Sequence, residues 1–125
     1  MSNDEASDRT KFDLEKRTAN FGEDVVRFLR TVKLTAMTDH LINQLIRAGT
    51  SIGAHYAEAD DAGSKREFRY RISLAVRESR ESKHWCHMIA TALPERRLEI
   101  RTLYKEADEL NRIFKSIHRN SGPSR

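Results

Sequence analysis

The sequence has few of the residues that cross-link or bend a chain. Its 125 residues include one cysteine, two prolines and five glycines. The single cysteine, Cys86, excludes an internal disulfide framework and favours a reducing compartment. The scarcity of proline and glycine argues against an all-β domain, which needs many tight turns. No apolar run is long enough to cross a bilayer or to form a signal peptide, so we expect a cytoplasmic protein.

The sequence does contain apolar residues at a regular spacing. Hydrophobic residues make up 38% of the chain and charged residues 34%, which suits one folded domain better than a disordered polyelectrolyte. In four segments the apolar positions recur at alternating steps of three and four, as in amphipathic helices and unlike strands. The predicted core positions are Leu14, Thr18, Phe21, Val25, Phe28 and Val32 in the first segment, Ile42, Leu45, Gly49, Ile52, Tyr56 and Ala59 in the second, Phe68, Ile72, Ala75, Ser79, Ser82, Cys86 and Ile89 in the third, and Ile100, Leu103, Ala107, Leu110, Phe114 and Ile117 in the fourth.

Capping and breaking residues divide these segments. Thr35 or Thr38 can cap the second helix, and Ser64 with Glu67 forms a capping-box pattern just after Gly63. Pro94 suits the first turn of the fourth helix. We therefore predict helices over about 12–33, 38–61, 64–92 and 94–119, a disordered or loosely ordered N-terminus over about 1–11, and a frayed tail over about 120–125.

Helices of this length with short connections pack as neighbours. An average apolar repeat of about seven residues favours a small crossing angle and a left-handed supercoil. The predicted fold is all-α, an antiparallel up-down-up-down left-handed four-helix bundle.

The second helix has very little charge. From 41 to 57 its only formally charged residue is Arg47, and its outer face includes Ser51 and Ala54. A helix with so few charges around its circumference is usually buried on more than one side, so we expect contact with a neighbouring subunit. The alternative is a tightly packed helix in a monomer. Gly49 and Gly53 indicate close approach of a neighbouring helix rather than a phosphate loop.

The third and fourth helices carry most of the positive charge. Residues 63–125 contain 15 Lys and Arg against 8 Asp and Glu, a net charge of +7, whereas residues 1–62 contain 8 against 11, a net charge of −3. At 100° per residue the basic side chains form one stripe on each helix, away from the core. Neighbouring stripes could form one surface that neutralises phosphates; alternatively, these side chains only solvate the outer faces. The predicted nucleic-acid-binding residues are Arg66, Arg69, Arg77, Arg80, Arg97, Arg101, Lys105, Arg112 and Lys115.

We find no sequence signature of catalysis. His84 and His87 share a helix face that excludes Cys86, so the three do not converge on one metal ion. Glu78 and Glu81 fit flank charges better than an acid–base pair. We expect no enzymatic activity, no metal and no cofactor. A side cluster of Tyr70, Leu74, Trp85 and Met88 either widens the apolar arc of the third helix or meets another subunit.

Five segments, taken together, resemble one protein family. They are FDLEKRTANFGEDVVRFLR (12–30), LINQLIRAGTSIGAHYAEAD (41–60), SKREF (64–68), RESRESKHW (77–85) and LNRIF (110–114). In these segments the chain is similar to the four-helix-bundle proteins of the 23S rRNA intervening-sequence type, which are related to the accessory variability protein of diversity-generating retroelements. Arg47, Tyr56, Glu58 and Trp85 match residues that recur in the family, and His55 stands where relatives usually have Asn.

The resemblance implies a cytoplasmic up-down bundle that assembles into a homopentameric barrel, and it transfers no catalytic role. One relative, the accessory variability protein, is a basic pentamer that looks suited to holding a reverse transcriptase and RNA. We therefore expect a non-enzymatic, oligomeric protein that binds RNA or another nucleic acid through the basic faces of helices three and four. The alternative is a homo-oligomeric scaffold or adaptor for a protein partner such as a reverse transcriptase. The expected oligomer interface contains Arg47, Ser51, Ala54, Glu58 and Trp85.

Overall fold

A computed structural model describes residues 3–122 of the chain, and the side chains of residues 13–122. The helices are α1 (Asn3–Leu29), α2 (Ala36–Asp60), α3 (Lys65–Ala92) and α4 (Arg97–Asn120), with a short 3-10 turn over Pro94–Arg96 before α4. No strand occurs within residues 3–122. The predicted all-α class with four packed helices is therefore confirmed.

The first helix differs in its limits from the prediction. It begins at Asn3 rather than near residue 12, because neither proline nor glycine interrupts the intervening sequence. It ends at Leu29, where Thr31 N donates to Phe28 O and Val32 N donates to Leu29 O in a tight turn. Residues 1 and 2 of the predicted loosely ordered N-terminus, and residues 123–125 of the predicted tail, lie outside the described chain.

Side-chain caps begin two of the helices at the predicted threonine and serine. Thr35 Oγ1 accepts from Thr38 N at 3.1 Å, and Thr38 Oγ1 accepts from Thr35 N at 2.8 Å, which gives α2 a reciprocal capping box. Ser64 Oγ accepts from Glu67 N at 3.1 Å at the start of α3. The Glu67 carboxylate accepts from Gly63 N at 3.2 Å, one residue earlier than a standard capping box would place it.

The core follows the predicted periodicity. Every predicted core position is buried except Val32, Ile42, Phe68 and Ile117, which are partly buried at its edge. Burial of these apolar side chains is the main force that stabilises the fold.

Two polar residues of the core were not predicted. Asn111 is 1% exposed, and its Nδ2 donates to Val76 O and to Ser79 Oγ, both at 3.0 Å. Glu78 was expected to be a flank charge but is only 8% exposed. It lies seven residues from both Arg71 and Trp85, which contact α2, so it faces the same neighbouring helix.

Two glycines let α1 and α2 approach closely. A Cβ atom added at Gly49 would lie 3.0 Å from Val25 Cγ2, and one at Gly53 would lie 3.1 Å from Thr18 Oγ1. The prediction that these glycines serve close helix contact is therefore confirmed.

Neighbouring helices in the sequence are also neighbours in space. α2 packs against α1 and α3, α4 packs against α3, and a smaller contact joins α4 to α1. His40 near the start of α2 meets Trp85 near the end of α3, while Glu58 near the end of α2 meets Arg71 near the start of α3. Helices α2 and α3 therefore run antiparallel, as the up-down order requires. The complete up-down order and the left-handed supercoil stay predictions.

The turn before α4 is joined to α1 by one side chain. Arg96 donates through Nη2 to Thr31 Oγ1 at 2.7 Å and through Nε to Glu99 at 2.7 Å. Its guanidinium carbon lies 4.8 Å from the centroid of the Phe28 ring, within the range of a cation–π contact.

Candidate nucleic-acid interface

The predicted basic residues lie mostly on the outer surface of α3 and α4. Of the nine, Arg69 is partly buried and the other eight are exposed. Among the described ion pairs, only two of the nine contact a carboxylate: Arg77 pairs with Glu78 at 3.5 Å, and Arg112 pairs with Asp108 at 3.2 Å. Most of this positive charge is therefore not neutralised by the described acidic side chains.

An ion-pair cluster joins the two helices at the middle of this surface. Lys83 Nζ on α3 lies 2.8 Å from Asp108 Oδ1 on α4, and the other oxygen of that carboxylate contacts Arg112. The hydrogen bond from Lys83, aided by the charge of Arg112, holds the pKa of Asp108 below its ordinary value. Asp108 therefore stays ionised at neutral pH, and its charge is shared by one cation from each helix.

At one end of the surface, a cavity of about 280 Å³ opens between α3 and α4. Its lining includes His87 from α3 together with Arg97, Arg101 and Tyr104 from α4. The Tyr104 residue is 38% exposed, and Lys83 Nζ lies 5.8 Å from its ring centroid. Basic side chains of both helices therefore reach the same opening.

At the other end, Arg69 of α3 lies near His118 of α4. Burial lowers the pKa of His118, and the positive charge of Arg69 lowers it further. Arg69 Nε is buried without a hydrogen-bond partner among the described residues. We use one name, the α3–α4 groove, for the side chains of the ion-pair cluster, the cavity and this pair, which lie where α3 and α4 adjoin: Arg69, Lys83, His87, Arg97, Arg101, Tyr104, Asp108, Arg112 and His118.

The remaining predicted residues lie outside the described contacts of this groove. Arg66 and Arg77 are exposed on α3, and Lys105 and Lys115 are exposed on α4. Arg80 lines a different cavity, which faces α2 and also includes Arg47 and Trp85. The sequence did not single out Lys83, Tyr104, Asp108 or His118 for the site, although helical spacing places Tyr104 one turn after Arg101.

The predicted oligomer-interface residues lie on the outer side of α2 and the adjoining side of α3. Arg47, Ala54 and Glu58 are exposed, and Glu58 forms an ion pair of 2.7 Å with Arg71 of the same chain. Ser51 Oγ donates to the carbonyl of Arg47 within α2. The expected contact of Glu58 with another subunit stays a prediction beside this ion pair within the chain.

Trp85 is partly buried and has aromatic contacts on two sides. Its ring centroid lies 5.5 Å from that of His40 and 4.7 Å from that of His84, both with near-perpendicular planes. His55, next to Tyr56, has a buried Nδ1 without a hydrogen-bond partner among the described residues.

The candidate metal and nucleophile residues are separated. His84 lines the cavity that faces α2, whereas His87 lines the cavity between α3 and α4. Burial raises the pKa of Cys86 to about 12, so its thiol is protonated at neutral pH. Among the described side chains, no group of three or more His, Cys, Asp and Glu residues is arranged to hold a metal ion. None of the helices in the described part of the chain combines the length and apolarity of a membrane span.

Residues 10–116 match the family model described as 23S rRNA-intervening sequence protein. The chain belongs to this family. A protein of unknown function from the S23 ribosomal protein family of Bacteroides thetaiotaomicron has a similar crystal structure, with a TM-score of 0.74 and 23% sequence identity over 83% of this chain and 96% of that one. This similarity supports the fold. No curated protein gives a significant match.

Proposed function

We propose that this member of the 23S rRNA-intervening sequence family binds RNA, or another nucleic acid, through the basic faces of α3 and α4 and catalyses no reaction. The observation that carries the proposal is the α3–α4 groove, where basic side chains of two packed helices lie beside a cavity that Arg97 and Arg101 line. Such a surface binds a phosphate backbone mainly by releasing its condensed counterions.

The alternative, that these residues only solvate the outer faces, is less consistent with the charge distribution. A solvated face normally alternates charges, and its Arg and Lys pair with carboxylates one turn away. Here seven of the nine predicted residues take part in none of the described ion pairs. The family description refers to 23S rRNA, which is the reason we name RNA first.

The direct test reverses two charges of the groove on α4. We expect Arg97→Glu/Arg101→Glu to weaken binding of a single-stranded RNA and to flatten the salt dependence of log K by about 1.4, because each lost phosphate contact removes about 0.7. Fluorescence anisotropy over about 50 to 200 mM salt measures this slope. The control is Lys16→Glu/Lys33→Glu, which makes the same change in net charge at two exposed residues outside both proposed surfaces.

Two results would contradict the proposal. One is an equal loss of affinity in both double variants, which would indicate a response to net charge alone. The other is the absence of binding to any nucleic acid by the unaltered protein at low salt. Circular dichroism and light scattering on both variants check that fold and assembly are unchanged.

The outer face of α2 favours a second candidate, a homo-oligomeric scaffold or adaptor. This face is poor in charge, and beside it an open groove of about 630 Å³ runs between α1 and α2, lined partly by Ala19, Gly22, Gly53 and Ala54. Small residues permit close approach of another helix, from a second copy or from a protein partner such as a reverse transcriptase. By this proposal the assembly is a homopentamer in the cytoplasm. Light scattering that gives a monomer at micromolar concentration would exclude it.

A further inference from the structure

The cavity between α3 and α4 has a composition that phosphate binding does not require. Leu98 is exposed at its lining, and buried Ile100 and partly buried Ala90 give it an apolar floor. Its volume of about 280 Å³ is just below the range of roughly 300–1,000 Å³ that drug-sized ligands occupy. The cavity therefore has room for one small group with an apolar surface.

The polar groups at this cavity are aromatic or cationic. Tyr104, a residue that is 38% exposed, lines it together with His87, Arg97 and Arg101. None of the described residues that line it is acidic. A ligand that fits this lining has an aromatic ring next to a negatively charged group.

We propose that this cavity holds an unpaired nucleobase of RNA against the Tyr104 ring, with Arg97 and Arg101 bound to the neighbouring phosphates. The inference rests on the proposed nucleic-acid binding and adds to it the class of nucleic acid, a single strand. Bases of a duplex are stacked inside it and cannot enter such a cavity, whereas unpaired bases stack readily on aromatic side chains.

Lys83 takes up one face of the Tyr104 ring. Its Nζ lies over the ring, 5.8 Å from the centroid, and also contacts Asp108 at 2.8 Å, so the proposed base stacks on the face that Lys83 leaves free. An apolar side chain of a protein partner could also fill the floor of the cavity, but it would leave Arg97 and Arg101 without a counter-charge.

The test compares single-stranded and duplex RNA of about 12 nucleotides, a length within the range that single-strand-binding domains cover. We expect Tyr104→Ala to weaken single-strand binding by about 5- to 100-fold, the usual effect of removing one stacking side chain, with little change for the duplex or for the salt slope. Tyr104→Phe keeps the ring and is expected to bind as the unaltered protein does. Tyr70→Ala, the same substitution at an exposed tyrosine of α3, is the matched control.

The outcomes separate this inference from the proposal on which it rests. If the unaltered protein binds RNA with a steep salt slope but Tyr104→Ala has no effect, or weakens duplex and single strand equally, the nucleobase site is wrong and the basic interface stands. If the unaltered protein binds no nucleic acid, both fail. As a second measurement, we expect photo-crosslinking with 5-iodouridine-substituted RNA to label the peptide that contains Tyr104. A label confined to Trp85 would also overturn the site.

Discussion

Asp108 allows the α3–α4 groove to be tested by a substitution that should strengthen binding. Its carboxylate holds both Lys83 and Arg112, at 2.8 Å and 3.2 Å. Asp108→Asn keeps the shape of the side chain but removes the negative charge, so both cations become available to phosphates. We expect tighter binding of single-stranded RNA at low salt.

The expected magnitude follows from the number of cations released. Each new phosphate contact steepens the salt slope by about 0.7, so the two cations add at most about 1.4. Over a fourfold rise in salt, from about 50 to 200 mM, the affinity of Asp108→Asn should fall about 3- to 7-fold more than that of the unaltered protein. Fluorescence anisotropy at several salt concentrations measures this difference.

The control is Glu109→Gln, which makes the same change in net charge one residue away. Glu109 is exposed and pairs with Arg17 of α1 at 3.1 Å, on the side of α4 that faces away from the groove. If both variants steepen the slope equally, the effect comes from total charge and the reasoning is refuted. Weaker binding by a correctly folded Asp108→Asn variant would also refute it, because the acid would then position the cations rather than compete for them.

The same substitution should change the response to acid. The pKa of Asp108 in the folded protein lies below its ordinary value of 3.8, so the ionised carboxylate stabilises the fold. This stabilisation is fully present above pH 3.8 and is lost as the pH falls through the lowered pKa. Asp108→Asn should therefore flatten the loss of stability in this acidic range, as measured by urea unfolding at a series of pH values. An unaltered acid profile would mean that the Lys83 contact adds no stability.

Two further predictions concern packing and thiol chemistry. Gly22→Ala should stabilise the protein by up to about 1 kcal/mol through helix propensity, because the new Cβ would lie 3.5 Å from Thr50 Cα, an ordinary contact distance. Gly49→Ala should be about 1–3 kcal/mol less stable than Gly22→Ala, because its new Cβ would press on the fully buried Val25 side chain. Urea unfolding compares the two, and equal stability would show that α1 and α2 can separate at no cost. Cys86 should react with a disulfide reagent at mildly alkaline pH only as fast as the protein unfolds, since its thiol is buried with a pKa of about 12; immediate labelling of the native protein would contradict this.

The sequence was sufficient to predict the core because burial along a helix repeats with a local period. Val25, Ile72 and Phe114 belong to different helices, yet each was predicted from residues three and four positions away, and all three are fully buried. The caps at Thr35 and Ser64 are equally local. Family membership followed from several segments taken together rather than from any single motif.

The groove could be predicted only in outline because its contacts depend on the relative rotation of α3 and α4. A helical wheel shows that Lys83 and Asp108 each lie beside the apolar stripe of their own helix. It does not show that the two side chains face each other. The same applies to Tyr104, whose partner Lys83 is on the other helix, and to Asn111, whose acceptors are on α3. Residues chosen for charge alone also included Arg80, which lines a cavity toward α2.

The contacts of Arg96 with α1 affect the rigidity of the nearby cavity between α3 and α4. Its bonds to Thr31 and Glu99, and its position over Phe28, fasten the corner where α3 turns into α4 to a third helix. The turn that Arg96 ends leads directly into Arg97, which lines the nearby cavity, so these contacts restrain one edge of that cavity. If a strand binds there as proposed, this restraint should lower the free energy that binding spends on reshaping the protein.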